Sequence, residues 1–121
     1  MILRDAGFSD LKPEVNLVRD GRNRVTEISR QARALVLWVD TFWPRPGDRI
    51  IFSVWDPSGS KIVRHETLVK KKRALGLYYA GKKKKALSWP QGTYRGEVRL
   101  IRESGPVGAE DYTLRREIHI R

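Results

Sequence analysis

The chain has 121 residues, which is enough for one domain with a single hydrophobic core and too few for two. It contains no cysteine, and this excludes a disulfide framework, thiolate metal sites and thiol catalysis. The formal net charge is +11, and it is concentrated, because residues 61–85 contain ten basic residues and one acidic residue. No run approaches the roughly 20 apolar residues of a membrane span, and the residues after Met1 do not resemble a secretory signal peptide.

The N-terminal segment, residues 1–23, shows neither a helical nor a strand period. We interpret it as a linker or a packed N-terminal arm, and residues 24–121 as the folded domain. Residues 34–43 then form an apolar run, ALVLWVDTFW, which is too short for an exposed helix. This run predicts a central strand that is buried on both faces for part of its length.

A turn rich in proline and glycine follows at residues 44–48, and residues 49–55 put three apolar side chains on one face. The sequence Asp56-Pro57-Ser58-Gly59 is typical of a tight β-turn, so residues 49–55 and 61–64 are predicted to form a hairpin. Residues 74–80 predict a further strand, and Gly81 with the four lysines after it predicts a loop.

The segment from Trp89 to Arg102 combines a Pro/Gly turn, a tyrosine and an alternating strand. In immunoglobulin-like sandwiches, a tyrosine at this corner turns its ring into the core and bonds its hydroxyl to the backbone a few residues upstream. We expect Tyr94 to have this structural role. Apolar and polar residues also alternate over residues 112–120, and only Arg116 places a charged side chain at an apolar position.

About seven short strands joined by Pro/Gly turns, without a convincing helix, predict an all-β fold. An immunoglobulin-like antiparallel β-sandwich is the favoured architecture, because the strand count and the Tyr94 corner fit it. The OB-fold is the main competitor, since it is also small, basic and all-β.

The sequence offers no constellation for catalysis. Its two histidines, His65 and His119, fall on separate predicted strands without the spacing of metal ligands. No glycine-flanked serine elbow or glycine-rich phosphate loop is present, and Glu97 and Glu117 are expected to form surface ion pairs. We therefore expect no catalytic residue, no metal, no cofactor and no enzymatic activity.

Two sets of residues are candidates for binding. The first is basic and consists of Lys70, Lys71, Lys72, Arg73, Lys82, Lys83, Lys84 and Lys85. Such lysines either keep an edge strand from pairing with other chains or form an electrostatic patch for a polyanion. The second set is Trp43 and Trp89, which adjoin prolines at strand ends and are expected to be exposed as stacking surfaces. Trp38 or Trp55 is expected to fill the core.

Several segments resemble the C-terminal accessory domain that follows the catalytic domain in some lysostaphin-like murein zinc metallopeptidases of Gram-negative bacteria. The segments are Ala34–Trp38, Arg45–Asp48, Asp56–Gly59, Tyr79–Lys82 and Trp89–Val98, and Gly7-Phe8 resembles the linker into that domain. The metal-binding motifs of the peptidases are not in this sequence.

The resemblance implies a periplasmic or envelope-associated location and a non-catalytic role, positioning or regulating a catalytic domain of the same parent chain. Its partners would be murein or another anionic envelope polymer, contacted by the basic edge, or that catalytic domain. The alternative is a basic nucleic-acid-binding β-domain that uses the same lysines. A third interpretation is a structural domain whose partner is a protein.

Overall fold

The structure is a computed structural model, and it describes residues 2–10, 27–72, 74–103 and 109–121. Eight strands occur in these residues, and none of the described residues is helical. The strands are β1 (Ile2–Ser9), β2 (Glu27–Ile28), β3 (Ala34–Phe42), β4 (Arg49–Trp55), β5 (Lys61–Leu68), β6 (Leu75–Lys83), β7 (Gly92–Arg102) and β8 (Glu110–Ile120).

The strands form two sheets that pack face to face. One sheet has three strands in the order β1-β3-β6, and the other has five in the order β2-β8-β7-β4-β5. All neighbours are antiparallel except β2 and β8. The predicted all-β antiparallel sandwich is confirmed, with eight described strands instead of about seven. Two separate sheets also distinguish it from the closed barrel of an OB-fold.

The core lies between the two sheets, and each strand contributes alternate side chains to it. From the five-stranded sheet it receives Ile50, Phe52, Val54, Tyr94, Val98, Leu100, Ile118 and Ile120, all almost fully buried. From β3 it receives Leu35, Leu37 and Val39. The predicted hairpin is also present, because β4 pairs with β5 across the Asp56–Gly59 turn.

Strand β3 is buried on both faces, as its uninterrupted apolar run predicts. Its seven central residues are all buried, although only alternate ones point into the core between the sheets. Trp38, on the other face, is fully buried, and a Cβ added to Gly7 would lie 2.7 Å from its indole ring. Glycine at position 7 therefore leaves room for the Trp38 side chain.

The N-terminal segment contributes a strand that the sequence analysis did not predict. Residues 2–9, assigned to a linker or arm, form β1 and pair with β3 along its length. A β-bulge between Leu3 and Asp5 shifts the register, so the alternation of apolar residues that identifies a strand is interrupted there. Ala6 and Phe8 nevertheless reach the core. Residues 11–23 lie outside the described residues.

The Tyr94 corner is present as predicted. The Tyr94 hydroxyl donates a 2.7 Å hydrogen bond to the carbonyl oxygen of Pro90, and the ring is fully buried. Burial, together with the negative charge of Asp56, raises the pKa of the Tyr94 hydroxyl above its ordinary value. The corner therefore joins the β6–β7 connection to the core.

The parity break at Arg116 has a structural explanation. Its position faces the inside of the sandwich, where the side chain crosses to the opposite sheet. Its guanidinium donates to the carbonyl oxygen of Ala6 at 3.0 Å and lies 3.4 Å from the Asp5 carboxylate. Arg116 thus connects β8 to β1.

Candidate functional site

The two groups of lysines lie on one side of the sandwich but at opposite ends of β6. Lys70–Lys72 precede β6 in the crossover from β5, whereas Lys82 and Lys83 end the strand and Lys84 and Lys85 follow it. A strand of nine residues, at about 3.3 Å per residue, separates the groups by roughly 30 Å. This distance is nearly four Debye lengths at physiological ionic strength, where one Debye length is about 8 Å, so the two groups do not form one patch. Arg73 lies outside the described residues.

We call the end with Lys82–Lys85 the lysine pole. Strand β6 continues further than predicted, since Leu35 pairs with Lys82 and Ala34 with Lys83. The backbone N–H of Lys84 then donates to the carbonyl oxygen of Arg33 at 2.8 Å. The loop predicted to start at Gly81 therefore starts at Lys84, and the first two lysines are held in a regular strand.

A groove of about 550 Å³ lies between β5 and β6, which are edge strands of the two sheets. Its charged and aromatic lining comes from Arg64, His65, Tyr79, Lys82 and Lys85. His65 is exposed although it is paired with the core residue Phe52, because the three-stranded sheet ends at β6 and leaves this part of the inner face uncovered. None of the described residues that line the groove carries a carboxylate.

A second hollow of about 210 Å³ adjoins the groove, and Lys82 and Lys85 line both. Lys84 contributes to the second hollow, whose lining also includes Asp56 and the corner residues Trp89, Pro90 and Tyr94. The lysine pole therefore presents its cations at the border of two adjoining concave surfaces, where an anionic ligand would contact several of them at once.

Trp89 is buried, so the expectation that it is an exposed stacking surface was wrong. Its side chain is 7% exposed, and its indole N–H donates to the carbonyl oxygen of Ala32 at 2.8 Å. The ring also packs edge-on against Tyr94, with 6.4 Å between the ring centroids. The neighbouring proline indicated a surface position, but the tyrosine corner and residue 32 enclose the indole.

Trp43 lies at the other end of β6, and it is exposed over 55% of its surface. Its backbone has a φ of 55°, a left-handed conformation that is rare for a bulky residue. Hydrogen bonds hold both of its backbone groups: the N–H donates to Ala74 at 2.8 Å, and the carbonyl oxygen accepts from Arg102 at 3.2 Å. We call this end, with Trp43–Asp48 and Lys70–Lys72, the tryptophan pole.

A buried ion pair, which the sequence did not predict, supports Trp43. Arg102 donates from Nε and Nη2 to the two carboxylate oxygens of Asp48, both at 2.8 Å, and the two side chains are 7% and 2% exposed. Burial by itself raises the pKa of Asp48, but hydrogen bonds from Arg102 and from the Arg45 N–H outweigh it, so the pKa lies below its usual range.

A signal for this pair existed in the strand pattern. Arg102 shares the inward parity of Val98 and Leu100 on β7, and an arginine at a buried position needs a carboxylate partner.

The outer face of the five-stranded sheet is charge-balanced. Ion pairs cross from β7 to β8, including Arg95 with Glu117 at 3.8 Å and Arg115 with Glu97 at 3.5 Å. The expected surface pairing of Glu97 and Glu117 is confirmed. This face therefore adds little to the excess positive charge of residues 61–85.

The described residues contain no group of three histidine, cysteine, aspartate or glutamate side chains that could hold a metal ion. His65 and His119 are exposed on β5 and β8, and His119 Nδ1 lies 2.9 Å from Thr93 Oγ1. Among the same residues, no helix is long and apolar enough to cross a membrane. Comparison of the chain with protein-family models, curated proteins and solved structures found no match.

Proposed function

We propose that this domain is a non-catalytic module that binds an anionic polymer at the lysine pole. The observation that supports it is the groove between β5 and β6, which Arg64, Lys82 and Lys85 line and to which no described residue contributes a carboxylate. A concave surface with charges of one sign concentrates its field and attracts polyanions from solution. A linear polymer along the groove would contact these cations in succession.

An anionic polymer of the bacterial envelope, murein above all, is the first candidate for the ligand. The sequence resemblance to the accessory domains of murein metallopeptidases supports this choice, and in that context the domain would position or regulate a catalytic domain of its parent chain. The ligand would then hold the catalytic domain near its substrate.

Nucleic acid is the second candidate, and one observation favours it. Tyr79 lies in the groove beside the lysines and is 41% exposed. A base could stack on this ring while its phosphates contact the lysines, which is how single-stranded nucleic acids are commonly held. The charge and shape of the groove suit either polymer, so binding experiments with each polymer are needed to distinguish the two candidates.

Co-sedimentation with purified murein sacculi, at about 50 mM and about 200 mM salt, tests the first candidate. The test variant is Lys82→Ser/Lys84→Ser/Lys85→Ser, and Lys70→Ser/Lys71→Ser/Lys72→Ser is its matched control. Both variants lose three positive charges, but only the first changes the lysine pole. We expect salt-sensitive binding that the first variant reduces much more than the second. Equal loss in both would show that net charge alone is responsible, and would overturn the proposed site.

A parallel titration with short single-stranded oligonucleotides tests the second candidate. For single strands, the affinity falls with about the 0.7 power of the salt concentration per neutralised phosphate. The lysine-pole variant, which removes three cations, should then lower the slope of log K against log salt by about 2. Oligonucleotide binding without sacculus binding would favour the second candidate, and binding to neither would leave a structural domain or one that contacts protein.

A further inference from the structure

The tryptophan pole combines three features that each cost free energy. Trp43 exposes most of a large apolar ring to water, and its backbone is in a left-handed conformation. The pair that holds its carbonyl oxygen, Arg102 and Asp48, is removed from solvent, which carries a desolvation penalty. Costly features concentrated at one exposed residue point to a functional role for it.

These features also fix the position of the indole. The turn after Trp43 is tied to the chain ahead of Lys70–Lys72, because Val69 donates to Asp48 at 2.8 Å and accepts from Gly47 at 3.0 Å. Ala74, beyond the lysines, accepts from the Trp43 N–H. The three exposed lysines therefore belong to a segment that is anchored at both ends to the turn carrying Trp43.

We propose that Trp43 is a stacking platform for one pyranose ring of a carbohydrate that carries carboxylates, with Lys70–Lys72 contacting the carboxylates. The indole face is electron-rich and attracts the C–H groups of a sugar ring. A platform of one ring holds one sugar ring at a time, and an oligonucleotide probe tests whether it holds a base instead. Trp43 is the one aromatic residue among the described residues with more than half of its surface exposed. This site is separate from the lysine pole.

The test follows indole N–H signals of the four tryptophans in ¹⁵N-labelled protein. The Trp43 signal is assigned by its absence from Trp43→Ala. The probes are tetragalacturonate, which carries carboxylates, the neutral tetramer of N-acetylglucosamine, and octathymidylate. We expect both sugars to shift the Trp43 signal, and tetragalacturonate to bind more tightly.

Variants separate this site from the lysine pole. Trp43→Ala should weaken sugar binding about tenfold or more, and Trp43→Gly, which can adopt the same backbone without strain, should do the same while remaining folded. Because tetragalacturonate can also contact the lysine pole, the control is the Trp43 signal with the neutral tetramer, whose shift Tyr79→Ala and Lys82→Ser/Lys84→Ser/Lys85→Ser should leave as in the wild type. Lys70→Ser/Lys71→Ser/Lys72→Ser should lose the preference for tetragalacturonate over the neutral sugar.

Three outcomes would overturn the proposal. One is a Trp43 signal that neither sugar shifts, and another is unchanged sugar binding in both Trp43 variants. The third is binding of octathymidylate alone, which would make the platform a site for a nucleobase. Because the lysine-pole variant is tested with the same probes, failure at Trp43 would leave the polymer site proposed for Lys82–Lys85 unaffected.

Discussion

The dipeptide Trp-Pro occurs twice in this chain, at Trp43-Pro44 and at Trp89-Pro90, and the two copies have opposite environments. Trp89 is buried, and neutral partners surround it: a carbonyl oxygen at its indole N–H and the edge of an aromatic ring. Trp43 is exposed, and a buried ion pair holds its backbone instead of its ring. Both tryptophans precede a proline, so their tertiary contacts determine which of them is accessible to a ligand.

The largest difference should appear when each tryptophan is replaced by alanine. Trp89→Ala removes a buried ring and should lower the free energy of unfolding by about 4 kcal/mol. Trp43→Ala removes a largely exposed ring and should cost less than about 1 kcal/mol. Urea unfolding of the two variants, followed by circular dichroism, measures both values. Similar decreases in the free energy of unfolding would contradict the difference in burial between Trp89 and Trp43.

Breaking the buried ion pair should have the next largest effect. Arg102→Met leaves the Asp48 carboxylate buried without its main partner, and should destabilise the domain by about 3 kcal/mol. Replacing both residues, as in Arg102→Met/Asp48→Leu, removes the unpaired Asp48 charge and should recover part of the loss, because Glu110, 3.7 Å from Arg102 in the wild type, still loses this cation. A double variant as unstable as the single one would show that the pair is required for more than charge balance.

The same ion pair predicts a dependence on acid. The folded-state pKa of Asp48 is below its ordinary value of 3.8. The ionised carboxylate therefore makes its full contribution to the free energy of unfolding above about pH 5, and this contribution is lost as the pH falls through the folded-state pKa. The stability difference between wild type and Asp48→Asn should therefore shrink from about pH 6 to about pH 2.5. Urea titrations across this range provide the measurement, and a constant difference would contradict the assignment.

The backbone strain at Trp43 should have a smaller effect on stability, which two substitutions at this position can measure. Trp43→Gly and Trp43→Ala remove the same ring contacts and differ by one methyl group. Since the φ of 55° is left-handed, the glycine variant should be more stable than the alanine variant by about 1 kcal/mol. Thermal unfolding of the two variants side by side measures this difference. Greater stability of the alanine variant would mean that residue 43 leaves the left-handed region when its ring is removed.

An effect of similar size is expected at the Tyr94 corner, beside the lysine pole. Tyr94→Phe removes one hydrogen bond, to Pro90, and should cost about 1 kcal/mol. Ultraviolet titration offers a second observable, because one of the four tyrosines should ionise above the ordinary range in the wild type and be absent from the variant. A wild type whose tyrosines all titrate together would contradict the burial of the Tyr94 hydroxyl.

The sequence alone predicts most of the sandwich, because alternation and turn residues are local signals. The hairpin over residues 49–64 and the Tyr94 corner follow from them directly. Strand β1 was missed since its bulge interrupts the alternation. The ion pair between Asp48 and Arg102 joins residues 54 positions apart, and no local pattern identifies which carboxylate meets an inward-facing arginine.

The candidate site was harder to predict for a geometric reason. Lys72 and Lys82 are close in sequence, but an extended strand rises about 3.3 Å per residue, more than twice the rise of a helix. Two groups that look like one cluster in the sequence are therefore carried to opposite ends of β6. Conversely, Lys82 and Arg64 meet at one groove only because their strands are edges of different sheets on the same side.

The balanced ion pairs on the outer face of β7 and β8 have a consequence for encounter with a partner. With that face neutralised, the surplus positive charge lies towards β5 and β6, so the domain is an electric dipole as well as a cation. In the electric field of a negatively charged surface, the domain would rotate before contact, so that its β5–β6 side reaches the surface first. Removing the carboxylates of these ion pairs, for instance with Glu97→Gln/Glu117→Gln, would raise the net charge. It would also reduce the dipole, so the domain would be oriented less strongly.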